Sequence, residues 1–203
     1  GSDVISAAAG ANVITAGVWQ HVSATYTSGT QKVYVNGSVV VSGTDSYTIT
    51  FYDQEVWIGK ANYSGSEFNG SMANVAIYSD AKTQSQIQDI MFSSYSTLTS
   101  ALKTNLVSWY DLGTNVEDSH GSNDGTNNGA TINTGYTSSP SGVADPLNYG
   151  EVYGGNAVSF DGSSDYISVA DSSDLSFGDS SNDSEFSISA WINMDDATKF
   201  RIA

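Results

Sequence analysis

The chain has 203 residues and a mass of 21.3 kDa, which fits one large domain or two small ones. Its 22 Asp+Glu against 6 Lys+Arg give a formal net charge of −16, and six scattered cations build no basic patch, which argues against a nucleic-acid ligand. Hydrophobic residues at 39% supply a core and exclude wholesale disorder, while the lack of Cys removes disulfides, thiolate nucleophiles and Cys-ligated zinc.

In chain order, the opening Gly1–Gly10 has neither the basic nor the apolar region of a signal peptide, and no 18-residue apolar stretch follows. The expectation is a soluble chain with no membrane insertion, any export signal lying outside it. Val18–Tyr26 alternates apolar and polar residues as a half-buried strand does. Lys32–Val41 holds two β-rich runs around Asn36-Gly37, a dipeptide suited to the positive φ angles of a type I′ turn, so a hairpin is predicted there. Further strands are predicted at Tyr47–Phe51, Glu55–Gly59 and Met72–Tyr78. Thr83-Gln84-Ser85-Gln86 fits a capping box, and Ile87, Ile90 and Met91 then fall on one stripe of a short helix. That helix is expected to close an open end of the fold. Ser93–Asn105 is small and polar and reads as a connector. Leu106–Leu112 is the next strand. Gly113–Gly155, rich in Gly, Asn, Ser and Thr, is expected to be loops with a short strand at Ala130–Asn133. Strands at Ala157–Phe160, Asp165–Ala170, Glu185–Met194 and Lys199–Ala203 complete the pattern. About ten short strands separated by turns predict an all-β, two-sheet antiparallel sandwich or a barrel, with one short α-helix.

Several segments resemble a known family. Leu106–Asp111 (LVSWYD), Asp118-Ser119-His120-Gly121 and Asn123-Asp124-Gly125-Thr126 are similar to the opening of a laminin-G-like domain of the concanavalin A-like lectin/glucanase superfamily. Ala157–Ala170 (AVSFDGSSDYISVA) and Phe186–Ile192 (FSISAWI) resemble its next strands. Trp19–Tyr26 (WQHVSATY), Lys32–Gly37 (KVYVNG), Trp57-Ile58-Gly59 and Phe68–Tyr78 (FNGSMANVAIY) resemble its second half, and Ser79–Met91 its closing turn and helix. The resemblance implies a jelly-roll β-sandwich whose order is permuted. Residues 1–94 correspond to the second half, 95–105 to a connector and 106–203 to the first half. Two organisations follow: one closed sandwich over 1–203, or a window on a tandem array. The closed sandwich is favoured because neither half alone covers its apolar face, and permutation is feasible where chain ends meet at the surface.

Catalysis is weighed first. Retaining glycoside hydrolysis needs two carboxylates about 5–5.5 Å apart. Asp53/Glu55 and Asp183/Glu185 are the nearest approaches, and both fall beside rather than within strands. His21 sits mid-strand beside Trp19, and neither it nor His120 accompanies a Gly-flanked serine, so no Ser-His-Asp triad is read and the chain is expected not to be an enzyme. Calcium is the better chemistry, because hard oxygen ligands suit it. Asp161, Asp165, Asp171, Asp174, Asp179, Asp183 and Glu185 follow one another without a cation, and a divalent ion offsets such repulsion. The resemblance implies Ca2+ at the sandwich edge, where the loop carrying Asp118, Asn123 and Asp124 approaches the strand carrying Asn74. This chain departs from the family in having Ala73-Asn74 where an acidic pair is common. The expected metal ligands are Asn74, Asp118, Asp124, Asp161 and Asp165.

Glycan recognition needs aromatic platforms with polar fixers beside them. Tyr47, Tyr52, Trp57, Asn62 and Tyr63 are the expected glycan-binding residues, with Phe51, Tyr136, Asn69 and Asn127 as further candidates. Trp19, Phe160, Phe186 and Trp191 alternate within strands and are assigned to the core. The reading is a non-catalytic binding or adhesion module for a glycan or glycosylated surface, calcium-assisted, placed outside the cell, on a cell surface or on a virion. The alternative is a structural repeat of a virion or cell-surface assembly that joins a tandem neighbour or forms a homo-oligomer through open strand edges.

Overall fold

A computed structural model describes residues 13–44, 54–61, 65–133, 156–178 and 183–196. The strands are β1 Gln20–Thr27, β2 Thr30–Val35, β3 Ser38–Thr44, β4 Val56–Ile58, β5 Asn69–Tyr78, β6 Leu106–Tyr110, β7 Gly125–Asn128, β8 Thr131–Asn133, β9 Ala157–Asp161, β10 Tyr166–Val169 and β11 Phe186–Met194; one helix, α1, spans Gln84–Met91. The predicted strands Tyr47–Phe51 and Lys199–Ala203 lie outside the described residues.

Two antiparallel sheets form a β-sandwich. The larger runs β3-β2-β1-β11-β5-β9-β8, with β6 beside β9 along the same edge of β5; the smaller is β4-β10-β7. Local chemistry explains the β2–β3 hairpin: Asn36 (φ 48) and Gly37 (φ 71) take the paired positive angles of a type I′ turn. The pairing at the middle of the larger sheet is long-range. β11 lies between β1 and β5, with Val22 opposite Ala190 and Ile77 opposite Ile188. One core cluster accordingly mixes Tyr26, Ile58, Val75 and Ile77 with Tyr110, Val158, Phe160, Ile167 and Phe186.

Alternation decides which side each residue takes. In β5, Val75 and Ile77 enter that inner core, whereas Ala76 and Tyr78 face outward under a second cluster with Ile90, Leu98, Leu102, Leu106 and Trp109. A third cluster joins Met91 of α1 to Trp19, Ala73, Ala157 and Trp191. The expected position of the helix is thus corrected. It does not close an end of the sandwich but lies across the outer face of the larger sheet, because that face presents Trp19, Trp109, Trp191 and Tyr78, whose burial needs a cover. Residues 93–105, read as a connector, join α1 to β6. They turn back on themselves, with Leu98 N donating to Ser94 O at 3.0 Å, and bury Leu98 and Leu102 against the same face. Among the described residues of Gly113–Gly155, β7 is a strand that was not expected, beside the predicted short strand that β8 realises.

The outer face also carries a polar seam. Trp191 Nε1 donates to Met91 O at 3.1 Å, Lys82 N donates to Ser187 Oγ at 2.8 Å, and Gln84 and Gln88 both donate to Gly37 O. His21 is 2% exposed in this seam, its ring edge-on to Trp191, and burial lowers its pKa to about 3. Among the described residues, no helix is long and apolar enough to cross a membrane.

Candidate functional site

Among the described residues, the outer face of the smaller sheet differs from its counterpart in that neither α1 nor residues 93–105 lie over it. Ile167 and Val169 of β10 are fully buried in the inner core, so alternation turns Tyr166 and Ser168 outward. Register then aligns the neighbours: Trp57 of β4 lies opposite Ser168, Ser168 opposite Thr126, and Tyr166 opposite Asn128. The result is two partly exposed aromatic rings on a floor of hydroxyls and an amide. Trp57 and Tyr166 have ring centroids 5.5 Å apart and planes inclined at 59°, an open V rather than a stack.

Its rim is polar and ordered. Trp57 Nε1 donates to Glu55 Oε2 at 3.0 Å, and Asn128 Nδ2 donates to Ser168 Oγ at 3.1 Å. Lys60 returns over the face, its Nζ 5.3 Å from the Trp57 centroid and 4.9 Å from that of Tyr166, within cation–π range of both. Gly59 makes this return possible. Its φ of +92 suits glycine, and a Cβ there meets the Phe160 ring at 2.5 Å.

Of the glycan-binding residues expected from sequence, Trp57 is on this face. Tyr47, Tyr52, Asn62 and Tyr63, with Phe51 and Tyr136, lie outside the described residues. Asn69 is exposed at the start of β5 opposite Asp161, and Asn127 donates to Ala130 O at 2.8 Å. Tyr166, Lys60, Ser168 and Asn128 were not among the expected residues. Alternation alone points Tyr166 and Ser168 away from Ile167 and Val169, but their meeting with Trp57 requires the β4–β10 register.

The expected metal ligands fall in three places. Asp118 Oδ1 accepts from Trp109 N (2.9 Å) and His120 N (3.0 Å), and its Oδ2 from Asn123 N (3.2 Å), while Asp124 Oδ1 accepts from Asp118 N at 2.9 Å. Burial raises the Asp118 pKa, but those amides, that of Gly121 and the Ser108 hydroxyl outweigh it and hold the carboxyl below its ordinary value. Asn123 reaches on to Asp174 Oδ2 at 3.2 Å. Asp161 Oδ1 accepts from the amides of Ser163, Ser164 and Asp165 in its own turn, which with the Ser164 hydroxyl lower its pKa to about 2. Asp165 Oδ2 accepts from Asp161 N at 3.1 Å. Asn74, at positive φ in an irregular stretch of β5, donates its backbone N–H to Asp111 O at 3.2 Å. Among the described residues, no three His, Cys, Asp or Glu side chains are grouped to hold a metal ion. The carboxylates expected as ligands thus lie in two separate loops, around Asp118 and around Asp161, each answered by N–H donors.

The carboxylate pairs considered for hydrolysis are engaged elsewhere. Asp183 accepts from the Tyr26 hydroxyl and Glu185 from the Thr27 hydroxyl, and Asp53 lies outside the described residues.

Residues 1–88 match the Laminin_G_3 family model of the concanavalin A-like lectin/glucanases superfamily. The match takes in β1 to β5 and the first part of α1, and the two-sheet antiparallel sandwich agrees with that superfamily's fold. No curated protein and no solved structure matches the chain.

Proposed function

We propose that this chain is a non-catalytic binding module that recognises a glycan or a glycosylated surface through the outer face of the β4-β10-β7 sheet. We further propose that it is one sandwich in permuted order, residues 106–203 supplying the first half and 1–94 the second. The carrying observation is the pair Trp57 and Tyr166, held side by side and partly exposed among the described residues, with Ser168, Asn128, Thr126 and Glu55 around them. A pyranose offers an apolar C–H face to such rings and hydroxyls to such neighbours, the pattern of an apolar wall with a few polar fixers. Binding in general is what a laminin-G-like match supports; the glycan is inferred from this face. Placement outside the cell, on a cell surface or on a virion follows from that ligand class. Hydrolysis is disfavoured because it needs a carboxylate pair, and among the described residues Glu55 is bonded to the platform through Trp57 Nε1.

Retention on an oligosaccharide array tests the reading. The chain is expected to be held by a subset of glycans, and Trp57→Ala and Tyr166→Ala each to release it. Equal retention of both variants sinks the proposal.

A structural building block is the second reading, and one observation favours it. Gly17 N donates to Met194 O at 2.7 Å, and β11 is inserted between β1 and β5, so the contacts joining residues 13–91 to 106–194 can form within one copy or between copies. Light scattering over a dilution series separates the two: a concentration-dependent assembly supports the exchange of halves, a constant monomer mass excludes it.

A further inference from the structure

The aromatic V is already occupied by a cation belonging to the chain. Lys60 Nζ stands about equally far from both rings, at 5.3 and 4.9 Å, and Glu55 is bonded to the edge of one of them. Two inclined aromatic walls with an acid at the rim are the ingredients of an ammonium site, since the ring faces are negative and the carboxylate completes the charge. The field of the whole chain points the same way. At a net charge of −16 it draws cationic ligands in and opposes anionic ones. Building on the glycan reading above, we infer that the sugar recognised on this face carries a free ammonium group, as a glucosamine-type amino sugar does, and that Lys60 is a tethered occupant which the ligand displaces.

The geometry assigns distinct parts to each residue. The Trp57 and Tyr166 rings take both the ammonium and the apolar face of the sugar. Glu55 is placed to meet the charge. Ser168 and Asn128, joined at 3.1 Å, offer a hydroxyl and an amide to the ring hydroxyls. Lys60 leaves the V by rotation about its own side chain, its Gly59 turn unchanged. Its contact is of the exposed kind, so displacement weakens ligand binding only about two- to five-fold. Lys60 therefore tunes affinity without closing the site.

Calorimetric titration of the full chain compares oligoglucosamine at mildly acidic pH, where the amine is charged, with its fully N-acetylated counterpart and with an oligouronate. Oligoglucosamine is expected to bind roughly ten-fold more tightly than the N-acetylated form, the scale of a partly desolvated cation–π contact. Lys60→Ala is expected to tighten oligoglucosamine binding by about two- to five-fold, and Lys60→Met, which keeps the apolar stem, to do the same. Trp57→Ala and Tyr166→Ala change no formal charge, so they separate the site from general attraction to an acidic protein; both are expected to abolish the preference. If N-acetylated sugar or oligouronate binds as well or better, if Lys60→Ala weakens binding, or if the aromatic variants retain the preference, the ammonium assignment falls while recognition of a glycan here stands. If none of the three oligosaccharides binds and an array is blank, the glycan reading falls and takes this inference with it.

Discussion

Two outer faces of one sandwich have met opposite fates. On the larger sheet, Trp19, Tyr78 and Trp191 lie under α1 and residues 93–105, and the Trp191 indole N–H is spent on Met91 O. On the smaller sheet, Trp57 and Tyr166 stay partly exposed, and the Trp57 N–H goes to an exposed carboxylate. Both faces are built by the same alternation behind the same inner core. The difference, among the described residues, is whether a segment of the chain lies over them. An aromatic pair that folding leaves uncovered contributes little to stability, and that leaves it available to a ligand.

The strongest way to break this contrast is to truncate one tryptophan on each side. Trp191→Ala removes a 7%-exposed ring and its hydrogen bond, which is expected to cost about 3–5 kcal/mol and lower Tm by roughly ten degrees. Trp57→Ala is expected to change stability by no more than about 0.5 kcal/mol while removing glycan retention. Paired thermal melts and array runs read both. Equal destabilisation by the two variants would mean that the smaller sheet's face is structural.

The covered face should also be the acid-sensitive one. His21 is buried there as the neutral imidazole, its folded pKa lowered to about 3 from 6.5. Below 6.5 the unfolded chain takes up a proton that the folded chain refuses, so unfolding is favoured increasingly as pH falls toward the folded value. The loss from this residue is about 3 kcal/mol by pH 4. The difference in unfolding free energy between the wild type and His21→Leu should therefore shift by about that amount between neutral pH and pH 4. A constant difference across that window would show that the ring is solvated.

How much of this could be read from sequence depends on whether the partner lies nearby along the chain. Asn36-Gly37 announces its turn because the required φ angles belong to those two residues. Thr83 and Gln86 announce the start of α1 because the capping box is local, and both of its bonds form, at 3.3 and 2.9 Å. The stripe Ile87, Ile90, Met91 says that a helix face is buried but not against what, so α1 was expected at an end of the sandwich and lies across a sheet instead. The candidate site has the same asymmetry. Trp57 stood out as an aromatic residue beside polar loops, whereas Tyr166 read only as part of a strand until β4 and β10 were paired. The acidic residues show the same dependence on local contacts: Asp161 accepts from three amides of its own turn, and Asp118 from amides of its loop and of Trp109 in β6, arrangements that charge counting does not register.

A change at Gly59 sharpens the contrast from within the open face. Gly59→Ala imposes a Cβ on the Phe160 ring at a φ of +92, where a side chain is strained whatever the space. About 2 kcal/mol of destabilisation is expected from this single methyl, with Lys60 shifted off the two rings. Indole fluorescence offers a readout, because Trp57 loses the neighbouring ammonium while Trp19, Trp109 and Trp191 stay covered. A melt and spectrum identical to wild type would show that the turn does not hold Lys60 in place.

The smallest effect expected is that of calcium, and it bears on what both faces share, an acidic rim. N–H donors lower the pKa of Asp118 below its ordinary value and that of Asp161 to about 2. Groups stabilised in that way already have their charge answered by peptide dipoles, and an added ion must displace or share those bonds to gain a ligand. Adding Ca2+ to chelator-treated protein is therefore expected to leave Tm within a degree or so of its starting value, since an ion bound at 100 times its Kd would add about 2.7 kcal/mol. A rise of several degrees would show that calcium binds, and Asp118→Asn and Asp161→Asn would then show which loop contributes. The same titration followed by glycan retention separates structural from ligand-bridging calcium. Retention unchanged by chelator leaves recognition to the aromatic V alone.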